Sequence, residues 1–214
     1  RLSAHRRNQR RFPWLATLAL GWIALAFVGA QTKVEAKIPD GEEAARAYIA
    51  ENHGRLLEIL KRPKSPKRDR EIGELLQDFL DYERISETSL GAGWGKLKPT
   101  EKERFQSLLG DLIERNYIAS LEDTKHFAIR YLDSRKDEGS YIVETEARDR
   151  KNRRAPPIRM SYRLVERGPS FRVIDIVTDG VSLVTNYRNQ FSRILARDGF
   201  EALIAKMEER LESG

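Results

Sequence analysis

No cysteine occurs in the 214 residues, which excludes disulfides, thiolate metal sites and cysteine nucleophiles. Histidine is nearly as scarce. His5, His53 and His126 are the three present, and they share no motif. Each therefore reads as a satisfied or solvated ring rather than a catalytic one. The sequence also lacks metal-ligand spacing, a G-x-S-x-G elbow, a glycine-rich phosphate loop and neighbouring carboxylates paired for acid–base work. Internal repeats and low-complexity tracts are missing as well. No constellation of reactive side chains points to catalysis or to a cofactor.

An excess of one charge is missing too, once the first thirty residues are set apart. The whole chain has 39 basic and 33 acidic residues, a net of +6. Five arginines (Arg1, Arg6, Arg7, Arg10 and Arg11) fall in the first eleven residues, with no acid among them. Residues 31–214 thus hold 34 basic and 33 acidic residues, a net of +1. The basic balance belongs to the N-terminal segment and is no nucleic-acid footprint.

After the arginines, residues 14–30 run 17 positions without a charge and end in Val28-Gly29-Ala30. A basic start, an apolar run and a small-x-small end predict a secretory signal peptide over residues 1–30. The competing reading is a single membrane anchor, for which 17 residues sit at the lower edge of what spans a core of roughly 30 Å. Without a cysteine at the cleavage point, lipid modification is not expected. Residues 31–214 are long enough for one domain burying roughly 70% of its unfolded surface.

Periodicity then organises that domain. A helix is expected after Asp40 as N-cap, with Glu43 completing a capping box. Its apolar positions are Tyr48, Ile49, Leu56, Ile59 and Leu60, and Pro63 and Pro66 end it. A second helix over residues 68–90 carries a stripe through Ile72, Leu75, Leu76, Phe79, Leu80 and Ile85, stopping at the glycines around Trp94. A third opens at Thr100 with Glu103 as box partner and repeats Phe105, Leu108, Leu109, Leu112, Ile113 and Tyr117. The period then becomes two. Strands are expected around Phe127 to Tyr131, over residues 141–148, from Ile158 to Leu164, and over residues 171–177. Helices over residues 181–196 and 200–211, parted at Asp198-Gly199, close the chain. Helices, one meander, then helices predict an α+β fold. A four-stranded antiparallel sheet is packed by N-terminal and C-terminal helices around an apolar cleft.

Within that frame, Met160, Tyr162, Ile174 and Ile176 follow from strand alternation, and Leu183 and Val184 from helical spacing. Each reads equally as ordinary core or as the wall of the cleft. Asp175 is the one acid inside an apolar strand. It either acts as a general base with a raised pKa in the cleft, or faces the other side of the sheet and pairs with Arg159 or Arg163. Residues 148–154 put five positive charges at a hairpin tip. They either approach anionic head groups or keep the sheet from pairing with neighbours.

The strand-to-helix segment of residues 173–191, with Asp179-Gly180-Val181-Ser182-Leu183, Tyr187, Arg188 and Phe191, resembles the signature of the MlaC (toluene-tolerance) family. Residues 194–206 resemble that family's next helix. Ile85, Leu90, Gly91 and Trp94 resemble its Ile-x-x-x-x-Leu-Gly-x-x-Trp, and residues 98–117 its Thr-Pro-Glu-Gln-Arg helix ending in Tyr. The likeness covers about residues 70–212. Two departures are Gly93 and Gly95 around Trp94, and the inversion of Thr-Pro to Pro99-Thr100.

The resemblance implies a nuclear-transport-factor-2-like cone with added helices, enclosing the acyl chains of a phospholipid. It implies a periplasmic, monomeric carrier that is not an enzyme and needs no cofactor or metal. Its partners would be an outer-membrane lipoprotein–porin complex and an inner-membrane ABC transporter with its substrate-binding ring, with no nucleic acid. Tyr117, Val181 and Tyr187 match family motif positions and are the implied cavity wall, beside the six residues read from spacing. A hopanoid-type cargo, or an isomerase- or dehydratase-type enzyme using Asp175 on the same cone, are the alternatives.

Overall fold

The computed structural model describes residues 41–124 and 126–213, and residues 1–40, which hold the expected signal segment and Asp40, lie outside the described residues. The first helix, α1 (Gly41–Leu60), buries Ala45, Ile49, His53, Leu56 and Leu60 along one face. Its links to the sheet fix its direction. Gly41 lies against the Tyr141 ring, Lys136 donates its backbone N–H to Glu42 (2.9 Å), and His53 meets Tyr131 farther along.

Helix α2 (Pro66–Phe79) starts at a proline, whose missing N–H costs nothing in a first turn, with Ser65 Oγ capping Arg68 N (3.2 Å). The expected single helix over residues 68–90 is in fact two. Leu80 turns extended and forms an isolated parallel bridge with Val173. Asp81 then caps a new helix, α3 (Tyr82–Leu90), by accepting from Arg84 N (3.1 Å). Asp81 N also donates to Val173 O (2.9 Å), so the break ties the helical layer to the sheet. A short 3₁₀ turn, Gly91–Lys96, buries Trp94.

Helix α4 (Pro99–Thr124) begins earlier than the expected Thr100 cap. Glu101 Oε2 reaches back to Lys98 N (2.7 Å), the carboxylate half of a capping box, with Pro99 in the first turn. Phe105, Leu109, Leu112, Ile113, Tyr117 and Leu121 form its buried stripe.

The sheet is antiparallel in the order β1 (Phe127–Asp137), β2 (Ser140–Asp149), β3 (Ile158–Arg167), β4 (Ser170–Thr178) and β5 (Val181–Ser182). It has five strands where four were expected. The extra one follows from Asp179-Gly180, where both residues have positive φ (47° and 82°). That is the chemistry of a two-residue hairpin turn, which folds Val181 back onto Thr178 before the helix can start.

The last stretch, α5 (Leu183–Glu212), is broken at Gly199, whose φ of 82° and ψ of −177° are not helical, so the two helices expected on either side of Asp198-Gly199 are present as its two arms. Its inner face, with Leu183, Val184, Tyr187, Phe191 and Ile194 in one arm and Leu203, Ile204 and Met207 in the other, joins the core shared by helices and sheet.

Candidate functional site

One face of the sheet presents Met160, Tyr162, Leu164, Val143 and Val173 to the helices, and all are buried. Where α1, α2 and α4 meet over this face, a cavity of about 10 Å³ remains, lined by Asn52, His53, Leu56, Leu75, Leu76, Phe79 and Tyr117. That volume is near the room one water needs.

The polar part of this interior is one small network. His53 is 4% exposed. Its Nδ1 lies 2.6 Å from Tyr131 Oη and its Nε2 3.3 Å from Tyr162 Oη. Burial drives its pKa down to about 3, so the ring is neutral, with one nitrogen donating and the other accepting. Burial pushes the Tyr131, Tyr162 and Tyr117 hydroxyls up from the ordinary phenol value. Asn52 donates to Tyr48 O (2.9 Å). The cavity is therefore uncharged, and His53 is satisfied by Tyr131 and Tyr162.

Of the nine residues singled out from the sequence, Tyr117 lines the cavity itself. Tyr162 borders it through His53, with Met160 Sδ 4.0 Å from the tyrosine hydroxyl. Leu183, Val184 and Tyr187 are buried in the same apolar cluster, and Ile176 packs against it. Ile174 and Val181 are not brought there. The register shifts between Arg163/Leu164 on β3, so Leu164 pairs with Val173 and Arg163 with Asp175. Ile174 is the extra residue of that bulge, half-buried outside the cluster. The simple alternation of Ile174 with Ile176 fails at this point. Val181, in the short β5, is 51% exposed.

Asp175 faces away from the cavity, opposite Arg163. Its Oδ2 accepts from Ser182 Oγ (2.7 Å) and its Oδ1 from Val184 N (3.2 Å). Burial raises its pKa while these bonds and Arg163 oppose the rise. The carboxylate holds the first turn of α5, where unpaired backbone donors favour an anion.

Sequence reading missed His53 and its neighbours. The signal was present, since Ile49, His53, Leu56 and Leu60 recur at helical spacing and place the ring on the apolar face. Among the described residues, no group of His, Asp and Glu could hold a metal ion. No helix among them is long and apolar enough to cross a membrane.

Three comparisons bear on this architecture. The model of the MlaC protein family matches residues 50–209. The solved structure of a phospholipid-binding protein from Ralstonia solanacearum, in complex with a phospholipid, superposes with a TM-score of 0.66. It is 18% identical, and the match covers 81% of this chain and 98% of that one. At that identity the likeness is one of fold. No curated protein sequence is significantly similar to the chain.

Proposed function

The chain belongs to the MlaC family, and on that premise we propose that it carries phospholipid through the periplasm and catalyses no reaction. The observation that carries this reading is a coincidence in sequence. The family match over residues 50–209 contains every residue that lines the cavity, from Asn52 to Tyr117. An apolar, uncharged interior closed by a neutral histidine suits acyl chains, because a buried ion there would cost several kcal/mol. The phospholipid held by a protein of the same fold supports the same reading.

A ligand pocket occupies roughly 300–1,000 Å³, against about 10 Å³ here. Cargo seated at this point needs α1 and α2 to draw back from the sheet. The joint between α1 and the sheet is apolar packing with a few polar contacts, the two His53–tyrosine hydrogen bonds, the Lys136 N–H to Glu42 and Arg46 over the Tyr131 ring, which suits a reversible opening. Tyr117, Met160, Tyr162 and Ile176 would then form one wall, and Leu183, Val184 and Tyr187 the other. Ile174 and Val181 would reach cargo only at its solvent-facing end. No cofactor or metal is needed.

Residues 1–30 serve in this account as a secretory signal, and residues 31–214 act as a monomeric carrier. The lipid is exchanged with an outer-membrane lipoprotein–porin complex and with the substrate-binding ring of an inner-membrane ABC transporter. Native mass spectrometry of the protein purified from a bacterial periplasm tests the cargo. A releasable adduct with the mass of a two-chain phospholipid is expected. An apo mass that stays unchanged after incubation with lipid vesicles would sink the proposal.

A further inference from the structure

Strands β2 and β3 are joined by residues 150–157, a longer connection than the usual two to five residues of a hairpin. From Glu146 to Arg159 the chain carries six basic residues and two acidic ones. Residues 31–214 as a whole carry a net of only +1, so the remainder of that stretch is net negative. Positive charge has been gathered at one end of the sheet.

The local hydrogen bonds consume the acids and leave the cations outward. Asp149 Oδ1 accepts from the backbone of Lys151 (2.7 Å) and Asn152 (3.0 Å). Glu146 is 3% exposed, with its Oε1 accepting from Arg148 (2.7 Å) and Arg130 (3.2 Å). Arg150 N is tied to His126 O (3.0 Å), and Ala155 N to Asn152 O (3.0 Å). Lys151, Arg153 and Arg154 are exposed and form no ion pair with the described residues.

The antiparallel topology brings the β4–β5 turn to this same end. Val181 pairs with Thr178, and Thr178 with Met160. The neighbouring Arg159 is clamped to Asp179 by its N–H (2.9 Å) and its carbonyl (2.8 Å). Val181, half exposed, thus stands on the rim of the basic end. These charges do not guard a sheet edge, because β2 and β3 are both interior strands. Unpaired cations around an exposed aliphatic side chain are the composition that suits a lipid–water interface.

We propose that this end of the sheet is a docking surface for a bilayer that carries anionic phospholipid. Its three cations do not line the cargo cavity. It presents Lys151, Arg153 and Arg154 to the head groups while Val181 touches the interface. Each basic residue near such a surface is worth about a fivefold change in partitioning, and the attraction weakens as salt rises.

Flotation of the purified chain with vesicles tests the proposal. Binding is expected to phosphatidylcholine mixed with phosphatidylglycerol, but not to phosphatidylcholine alone, and it should fall with added salt. The combined variant Lys151→Gln, Arg153→Gln and Arg154→Gln should lose binding by about a hundredfold, with an unchanged circular dichroism spectrum. Val181→Ser should weaken binding a few-fold. Cargo in the triple variant, read by native mass spectrometry, should equal that of the wild type, so a failed docking surface and a failed carrier are told apart. Equal flotation on neutral vesicles, or a triple variant that binds like the wild type, overturns the proposal. Absence of vesicle binding, with charge-dependent binding to polyglutamate instead, overturns it in favour of an acidic protein partner.

Discussion

Replacing His53 by glutamine removes the one buried ring that can take up a proton beside the cavity. In the folded protein burial lowers its pKa to about 3 from an ordinary 6.5. Between these values the unfolded chain binds a proton that the folded chain refuses, so stability rises with pH across the window and is lost as pH falls through it. One such proton changes stability by about 1.4 kcal/mol per pH unit. From about pH 6.5 to pH 4.5 the wild type should therefore lose about 2 kcal/mol through this ring alone, since the unfolded ring is only half protonated at the upper limit.

Glutamine has no such titration, but it satisfies Tyr131 and Tyr162 less well, at a cost of about 1–3 kcal/mol at neutral pH. The wild type should thus be the more stable form at about pH 7.5, and its advantage should shrink and reverse near about pH 5. Urea denaturation of both proteins through that range reads the difference directly, and all other titrating groups cancel. A constant difference between neutral and acid pH would refute the reasoning and mean that His53 is hydrated or charged in the fold.

Two further substitutions probe the frame around the cavity. Asp175→Ala leaves the Ser182 hydroxyl and the Val184 N–H without their acceptor. It should lower stability by about 1–2 kcal/mol while leaving bound lipid unchanged; an unaltered melting temperature would remove the helix-capping role. Leu76→Ala, at a cavity-lining position 4% exposed, should cost about 2–5 kcal/mol. Added phospholipid should then raise its melting temperature more than that of the wild type, and an equal rise would place Leu76 away from the cargo.

The helices and strands were legible because periodicity reports burial. The repeat from Phe105 to Tyr117 and the alternation from Ile158 to Leu164 survive intact in α4 and β3. Failures came where a local event reset the period. Leu80 and Asp81 interrupt an unbroken apolar stripe because the chain bridges to Val173, a contact 93 residues from Leu80 that no local pattern announces. The bulge at Ile174 rotates one residue out of phase. Asp179-Gly180 carried its own hairpin signal, which the helix expected from Val181 obscured.

The cavity was the least legible feature. Its polar lining depends on His53 meeting Tyr131 and Tyr162 across separations of 78 and 109 residues. Spacing alone does not separate core packing from ligand contact.

The central claim is that this chain takes up phospholipid. Its most direct test is to strip the purified protein of lipid, mix it with phospholipid vesicles, separate it by gel filtration and measure phosphorus per chain. The account predicts stoichiometric phosphorus in the protein peak, with both acyl chains recovered on extraction. A protein that stays folded and elutes without phosphorus would contradict it.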